Sequence, residues 1–149
     1  MKWERSILIS FLGNYINNNI VAGIVALLPA SASGGVFTLQ YISYVVLAAI
    51  CVALLTWWLG ARGWMAGLMF GILGFVVAVL TAFVSGIAGV LTQTGSLSQM
   101  VGILPNFWPF LANWSTLVLL GYWVIPAVLV AWARGMKMQK RAMPASAAM

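Results

Sequence analysis

The chain has 149 residues, of which 64% are hydrophobic and 5% charged, and its formal net charge is +6. An average soluble domain carries roughly a quarter charged residues, so this composition excludes an ordinary water-soluble globule and assigns the chain to the lipid bilayer. With no histidine, one acidic residue (Glu4) and one cysteine (Cys51), it also excludes histidine-based triads, haem ligation by histidine, zinc sites, paired-carboxylate catalysis and an internal disulfide.

Four apolar segments follow one another, Ser6–Pro29, Phe37–Gly60, Trp64–Thr92 and Leu111–Ala133. Each exceeds the ~20 residues that a helix needs to cross ~30 Å of hydrocarbon. The expected fold is therefore all-α: a single transmembrane domain, 1–149, of four membrane-spanning helices. The breaks carry turn chemistry: Pro29-Ala-Ser-Ala-Ser-Gly-Gly35, then Gly60-Ala-Arg-Gly63, then an uncharged loop over 93–110.

The first segment, SILISFLGNYINNNIVAGIVALLP, carries Asn14, Asn17, Asn18 and Asn19 near its middle. Residues 1–32 share features with a signal peptide, with Met1–Arg5 as a basic start and Ala30-Ser31-Ala32 as a cleavage-like site, but the asparagines interrupt the apolar stretch. A retained span is the expectation. Asn14 then lies roughly 13 Å into the bilayer. The spacing puts Asn14, Asn17 and Asn18 on one helix face and turns Tyr15 and Asn19 elsewhere. An amide left unpaired in hydrocarbon is costly, so the cluster requires company. Three readings are open: hydrogen-bonding glue between helices, the lining of a polar passage or solute site, or a helix broken between Gly13 and Gly23. The polar residues Gln40, Ser43 and Asn113 fall near the outer boundary, which suggests that a partner comes from another subunit.

The second segment contains a small-residue row, Ala49, Ala53, Thr56 and Gly60. The third, GWMAGLMFGILGFVVAVLTAFVSGIAGVL, has a longer one: Gly67, Gly71, Gly74, Ala78, Thr81, Ser85 and Ala88, spaced 4, 3, 4, 3, 4, 3. Rows of this kind admit close backbone approach between membrane helices. The four-residue link between segments two and three predicts a tight antiparallel hairpin in which the two rows face each other. The Ser85–Ala88 end, which outruns the facing row, is left for another helix. Met65 and Met69 on one helix face are read as packing residues rather than as ligands for copper(I).

The loop QTGSLSQMVGILPNFWPFLANW has no charge and contains a Pro-Asn-Phe-Trp-Pro turn, a composition suited to lipid headgroups or to a docked protein. In the fourth segment Pro126 lacks an amide proton, leaves the Tyr122 carbonyl without its helical donor and predicts a kink. Trp123 falls mid-span, facing a neighbouring helix or lipid tails.

With four spans, all seven basic residues (Lys2, Arg5, Arg62, Arg134, Lys137, Lys140 and Arg141) come to one side, and the first and third loops have none. The positive-inside rule makes that side the cytoplasm and so places both termini there. Trp3, Trp57, Trp58, Trp64 and Trp132 fall at that boundary, and Tyr41, Trp108 and Trp114 near the other. In the basic tail, 134–149, Arg134, Lys137, Lys140 and Arg141 are suited to anionic lipid headgroups, each worth about 1 kcal/mol. No nucleic-acid partner is expected, because these charges flank spans instead of forming a stripe on a folded face.

The functional expectation is a non-catalytic subunit of the inner membrane that assembles with, and stabilises or positions, other membrane proteins, without cofactor or metal. The alternative is a homo-oligomeric channel or facilitator for ions or small polar solutes, lined by the asparagine cluster. Proton-driven transport lacks the ionisable group within the membrane that it needs.

Overall fold

A computed structural model describes residues 3–29, 38–94, 109 and 112–142. It is all-helical there, and four helices are long and apolar enough to cross a membrane. We label them α1 (Trp3–Ala26), α2 (Leu39–Leu59), α3 (Trp64–Thr94) and α4 (Trp114–Ala142). The expected spans therefore hold, with shifted ends. Helix α1 begins three residues earlier than Ser6, and α4 continues through the start of the basic tail. The uncharged loop, apart from Gln93, Thr94 and Pro109, lies outside the described residues, as do 143–149.

Local chemistry sets the helix ends. Thr38, in extended conformation, accepts the Tyr41 amide on its hydroxyl at 3.1 Å and starts α2. Gly60 ends it in the left-handed region (φ 77°), where a glycine has no Cβ to clash, and its N–H returns to the Trp57 carbonyl at 3.1 Å. Gly63 also has positive φ (84°), so two glycines turn the chain between α2 and α3.

The helices close a ring in the order α1, α3, α4, α2, with α1 opposite α4 and α2 opposite α3. The close packing expected between the second and third spans is not found among the described residues: a short link requires only that two helix ends lie close together, and these two helices stand across the ring from each other. The largest interface is between α3 and α4, and the glycine seam lies in it. A Cβ added at Gly67 would stand 2.8 Å from Val128 Cα, and one at Gly71 would stand 2.7 Å from Val124 Cα. The facing row on α4 is itself small: Ala127 and Ala131 are fully buried, and Gly135 abuts the backbone of Gly63. Gly63 N–H bonds the Ala131 carbonyl at 2.9 Å, tying the turn to α4. Approach this close supplies dispersion contacts that side chains of ordinary size would prevent.

Trp123 occupies the centre of the ring, with none of its surface exposed. A Cβ on Gly74 would lie 2.7 Å from its ring atom Cδ2, and one on Gly13 would lie 3.0 Å from Cη2 and 2.6 Å from Leu55 Cδ1. Phe70 meets the ring edge-on at 6.3 Å between centroids. Around it pack Ile9, Ala48, Val52, Leu55, Leu59 and Ala78. Of the two expectations for Trp123, the helix neighbour holds. Pro126 stands inside α4 without interrupting it. Met65 and Met69 are exposed on the lipid-facing side rather than packed within the chain.

The outer half of the seam behaves differently. Ala78 is buried and Thr81 half-buried, but Ser85 and Ala88 are exposed, and a Cβ at Gly86 or Gly89 would meet nothing within 4 Å among the described residues. Glycines at the two ends of α3 should therefore respond oppositely. Gly67→Ala and Gly71→Ala are expected to cost about 1–3 kcal/mol, since backbone must move to admit the methyl group. Gly86→Ala and Gly89→Ala should be neutral or add up to about 1 kcal/mol through helix propensity. Unfolding titrations in mixed detergent micelles compare the four directly.

Candidate functional site

The asparagine-rich stretch of α1 neither breaks nor stays α-helical. Trp3–Tyr15 is α-helix, Ile16–Val21 is π-helix and Ala22–Ala26 is α-helix again. A physical cause lies in the side chains. Asn19 Nδ2 donates to the Tyr15 carbonyl at 2.9 Å, the same acceptor that its own backbone N–H would take in an α-helix. With that carbonyl occupied, the backbone can widen by one residue, and Ala22 N–H reaches the Asn17 carbonyl five residues back. Turns of this type recur at functional sites.

The widened turn distributes the four amides differently from a regular helix. Asn14 is buried, and its Oδ1 accepts from Asn18 Nδ2 at 3.3 Å. Asn18 is exposed at its outer side, and its own Oδ1 lies 3.5 Å from the Tyr44 hydroxyl on α2, a long bond. Asn19 is exposed and returns to its own backbone. Asn17 is 1% exposed, and neither amide atom has a hydrogen-bond partner among the described residues. The expected common face of Asn14, Asn17 and Asn18 is thus divided, with Asn14 and Asn18 turned to one space and Asn17 enclosed.

That space is a cleft of about 230 Å³ to which every helix contributes. Asn14 and Asn18 come from α1, Tyr41, Tyr44 and Val45 from α2, Ala78 and Ala82 from α3, and Ser115, Thr116, Val118, Leu119 and Tyr122 from α4. It occupies the half of the bundle in which α2 and α4 begin. Tyr44 and Tyr122 form one wall as an edge-to-face pair with centroids 6.2 Å apart. Among the described residues no charged one lines it. Polar company for two of the asparagines therefore comes from within the chain, contrary to the expectation that only Gln40, Ser43 and Asn113 were at hand. Spacing alone puts Tyr41, Tyr44 and Val45 on one helical face. Gln40 instead donates to the Leu28 carbonyl at 2.9 Å, joining the end of α1 to the start of α2.

The same helix has a second polar row that sequence reading missed: Ser6 and Ser10, both fully buried, continue through Gly13 to Asn17 with spacing 4, 3, 4. Ser10 donates to the Ser6 carbonyl at 2.8 Å. The row lets α1 lie close to its neighbours, so α1 joins the bundle by small residues as α3 does.

The opposite end gathers the described cations. Arg134 donates to the Trp57 carbonyl at the end of α2 and stacks over the Trp57 ring at 4.5 Å, with Lys137 6.0 Å from the same ring. Arg5 lies 5.9 Å from the ring of Trp58. A cation at a helix C-terminus and over an indole face is favourable on both counts. Arg134, expected to serve lipid headgroups, is thus engaged by the protein, while Lys137 remains exposed. Lys140 and Arg141 continue the same helix, and their side chains lie outside the described residues.

Because its amide is buried without partners among the described residues, Asn17→Leu should leave the isolated protein as stable or stabilise it by about 1 kcal/mol. Asn14→Ala and Asn18→Ala should instead show a coupling of roughly 0.6 kcal/mol in a double-mutant cycle, typical of hydrogen bonds within membrane bundles. Both follow from the same detergent unfolding assay. Comparison of the chain with protein-family models, with curated proteins and with solved structures yields no significant match.

Proposed function

We propose that this chain is a non-catalytic membrane subunit that assembles with other membrane proteins, or with copies of itself, through the outer half of α3. The single observation that carries the reading is the division of the seam. Gly67, Gly71 and Gly74 are closed by α4 and Trp123, whereas Ser85 and Ala88 are exposed and Gly86 and Gly89 meet nothing within 4 Å. A run of small residues along a membrane helix offers a neighbouring backbone close approach, and this half has no such neighbour among the described residues. Positive charge favours an orientation in the inner membrane with both termini in the cytoplasm. There, exposed Lys137, with Lys140 and Arg141 beyond it, would meet anionic headgroups.

A second reading, an oligomeric channel or facilitator lined by Asn14, Asn17 and Asn18, draws support from the polar cleft. Against it, Trp123 packs on Gly13 and Gly74 at the bundle axis, so one copy offers no path past the indole. A passage would have to run between copies.

Native mass spectrometry of the protein released in mild detergent tests both. The expected species is heavier than the 16.0 kDa chain, through a partner subunit or further copies. Ala88→Trp, or Ser85→Leu with Ala88→Leu, should reduce that species about tenfold or more while leaving the stability of the lone chain unchanged, because both sites are exposed. A homo-oligomer that conducts solute in proteoliposomes would favour the second reading, and a chain that stays alone would remove the first.

A further inference from the structure

The polar cleft has an apolar neighbour. It shares Val45, Val118 and Tyr122 with a second hollow, an apolar groove of about 370 Å³ between α2 and α4. This groove runs along Ala49, Gly121, Ile125 and Leu129. Its breadth comes from small residues: a Cβ placed on Gly121 would find only Ile125 Cδ1 within 4 Å, at 3.9 Å. One end of the combined hollow therefore presents amides and hydroxyls, and the other presents only aliphatic surface and a ring edge.

We infer that the two hollows form one binding site for a neutral amphiphile, with an uncharged oxygen-bearing head in the cleft and an aliphatic chain along the groove beside α4. Three observations select this class. Among the described residues no lysine, arginine or carboxylate lines either hollow, so an anionic phospholipid head or a bare cation would be desolvated without compensation. The Asn14 and Asn18 amides hold more hydrogen-bonding capacity than the Asn18–Asn14 bond and the long Tyr44–Asn18 bond consume, so a head with carbonyl or hydroxyl oxygens has donors and acceptors to meet. The groove adjoins the polar end across the shared Val45, Val118 and Tyr122, and a small water-soluble solute would leave it unused. Together the hollows reach the ~300–1,000 Å³ typical of small-molecule sites. The described cations stand at the other end of the bundle, around Trp57 and Trp58, which separates this site from any headgroup contact there. The site is independent of the assembly reading, since every wall comes from one chain.

Photolabelling tests it. The full-length protein in phosphatidylcholine nanodiscs is exposed to a monoacylglycerol carrying a diazirine in its chain, and adducts are mapped by mass spectrometry. Adducts are expected on the α4 stretch from Val118 to Leu129 and on the facing part of α2. Unlabelled monoacylglycerol and a short-chain alkyl benzoquinone are the two neutral competitors, and the stronger one names the head. Phosphatidylglycerol of equal chain length is expected not to compete. Gly121→Leu, which fills the groove from the lipid side, should lower labelling about fivefold, and Asn18→Leu with Tyr44→Phe should do so by a similar factor, the size of one lost hydrogen bond in a bundle. Gly121→Leu keeps the test decisive if the paired substitution impairs folding. Adducts spread evenly over the lipid-facing surfaces of all four helices, equal competition by phosphatidylglycerol, or no competition by either neutral amphiphile would overturn the inference.

Discussion

The indole of Trp123 can occupy the axis of this bundle only because the surrounding helices present it with almost no side chain. Gly74 gives it a flat wall on α3, and Gly13 gives it another on α1. Leu55 of α2 closes on Gly13 beside it, and Phe70 meets the ring edge-on. The ring buries a large apolar surface and holds α2 and α3 on opposite sides of the core. Its Nε1 has no hydrogen-bond partner among the described residues, a cost of about 1–3 kcal/mol that dense packing has to offset. The glycines near Trp123 are thus not general flexibility but the complement of one large side chain.

The first helix solves a different problem with the same economy of side chains. Its buried row of Ser6, Ser10 and Gly13 keeps it close to its neighbours, and the run of asparagines then widens the backbone into a π-turn. Asn19 supplies the donor that the Tyr15 carbonyl loses, so widening leaves that backbone acceptor satisfied. What the turn gains is rotation: Asn14 and Asn18 reach the cleft while Asn17 is enclosed. In hydrocarbon, where an exposed amide is costly, such sorting determines which polar groups remain available to anything that enters.

Much of this architecture was legible in the residues. Four apolar runs gave four helices, and the spacing of Gly67, Gly71 and Gly74 identified a groove for a backbone. The filler of that groove was not legible. Small-residue spacing describes one surface, and both the Ala49–Gly60 row and the Ala127, Ala131, Gly135 row were possible counterparts. Only the bulk of Trp123, which needs Gly74 from across the interface, distinguishes them, and that is a packing fact rather than a periodicity. The π-turn was hidden for a related reason. Helical spacing assumes 3.6 residues per turn, and the side-chain bond from Asn19 changes that number locally. The place of Tyr41 in the cleft was hidden because a ring near a span end satisfies the interfacial rule whether it faces headgroups or a neighbouring helix.

The two ends of the bundle are built by opposite means. At the end holding Arg134, backbone lies on backbone: Gly63 bonds Ala131, Gly135 abuts Gly63, and a guanidinium covers the last turn of α2. Such an end has little room to rearrange. Toward the other end the seam of α3 has no partner among the described residues, where Gly86 and Gly89 meet nothing within 4 Å, and polar side chains surround a hollow instead of a packed core. Local stability follows the density of buried contacts, so this looser half is the one expected to open first. The closed half then has a defined role. By holding the four helices at one end around Trp123, it keeps them in register, so that their other ends can leave a cleft and a bare helix face without the bundle coming apart.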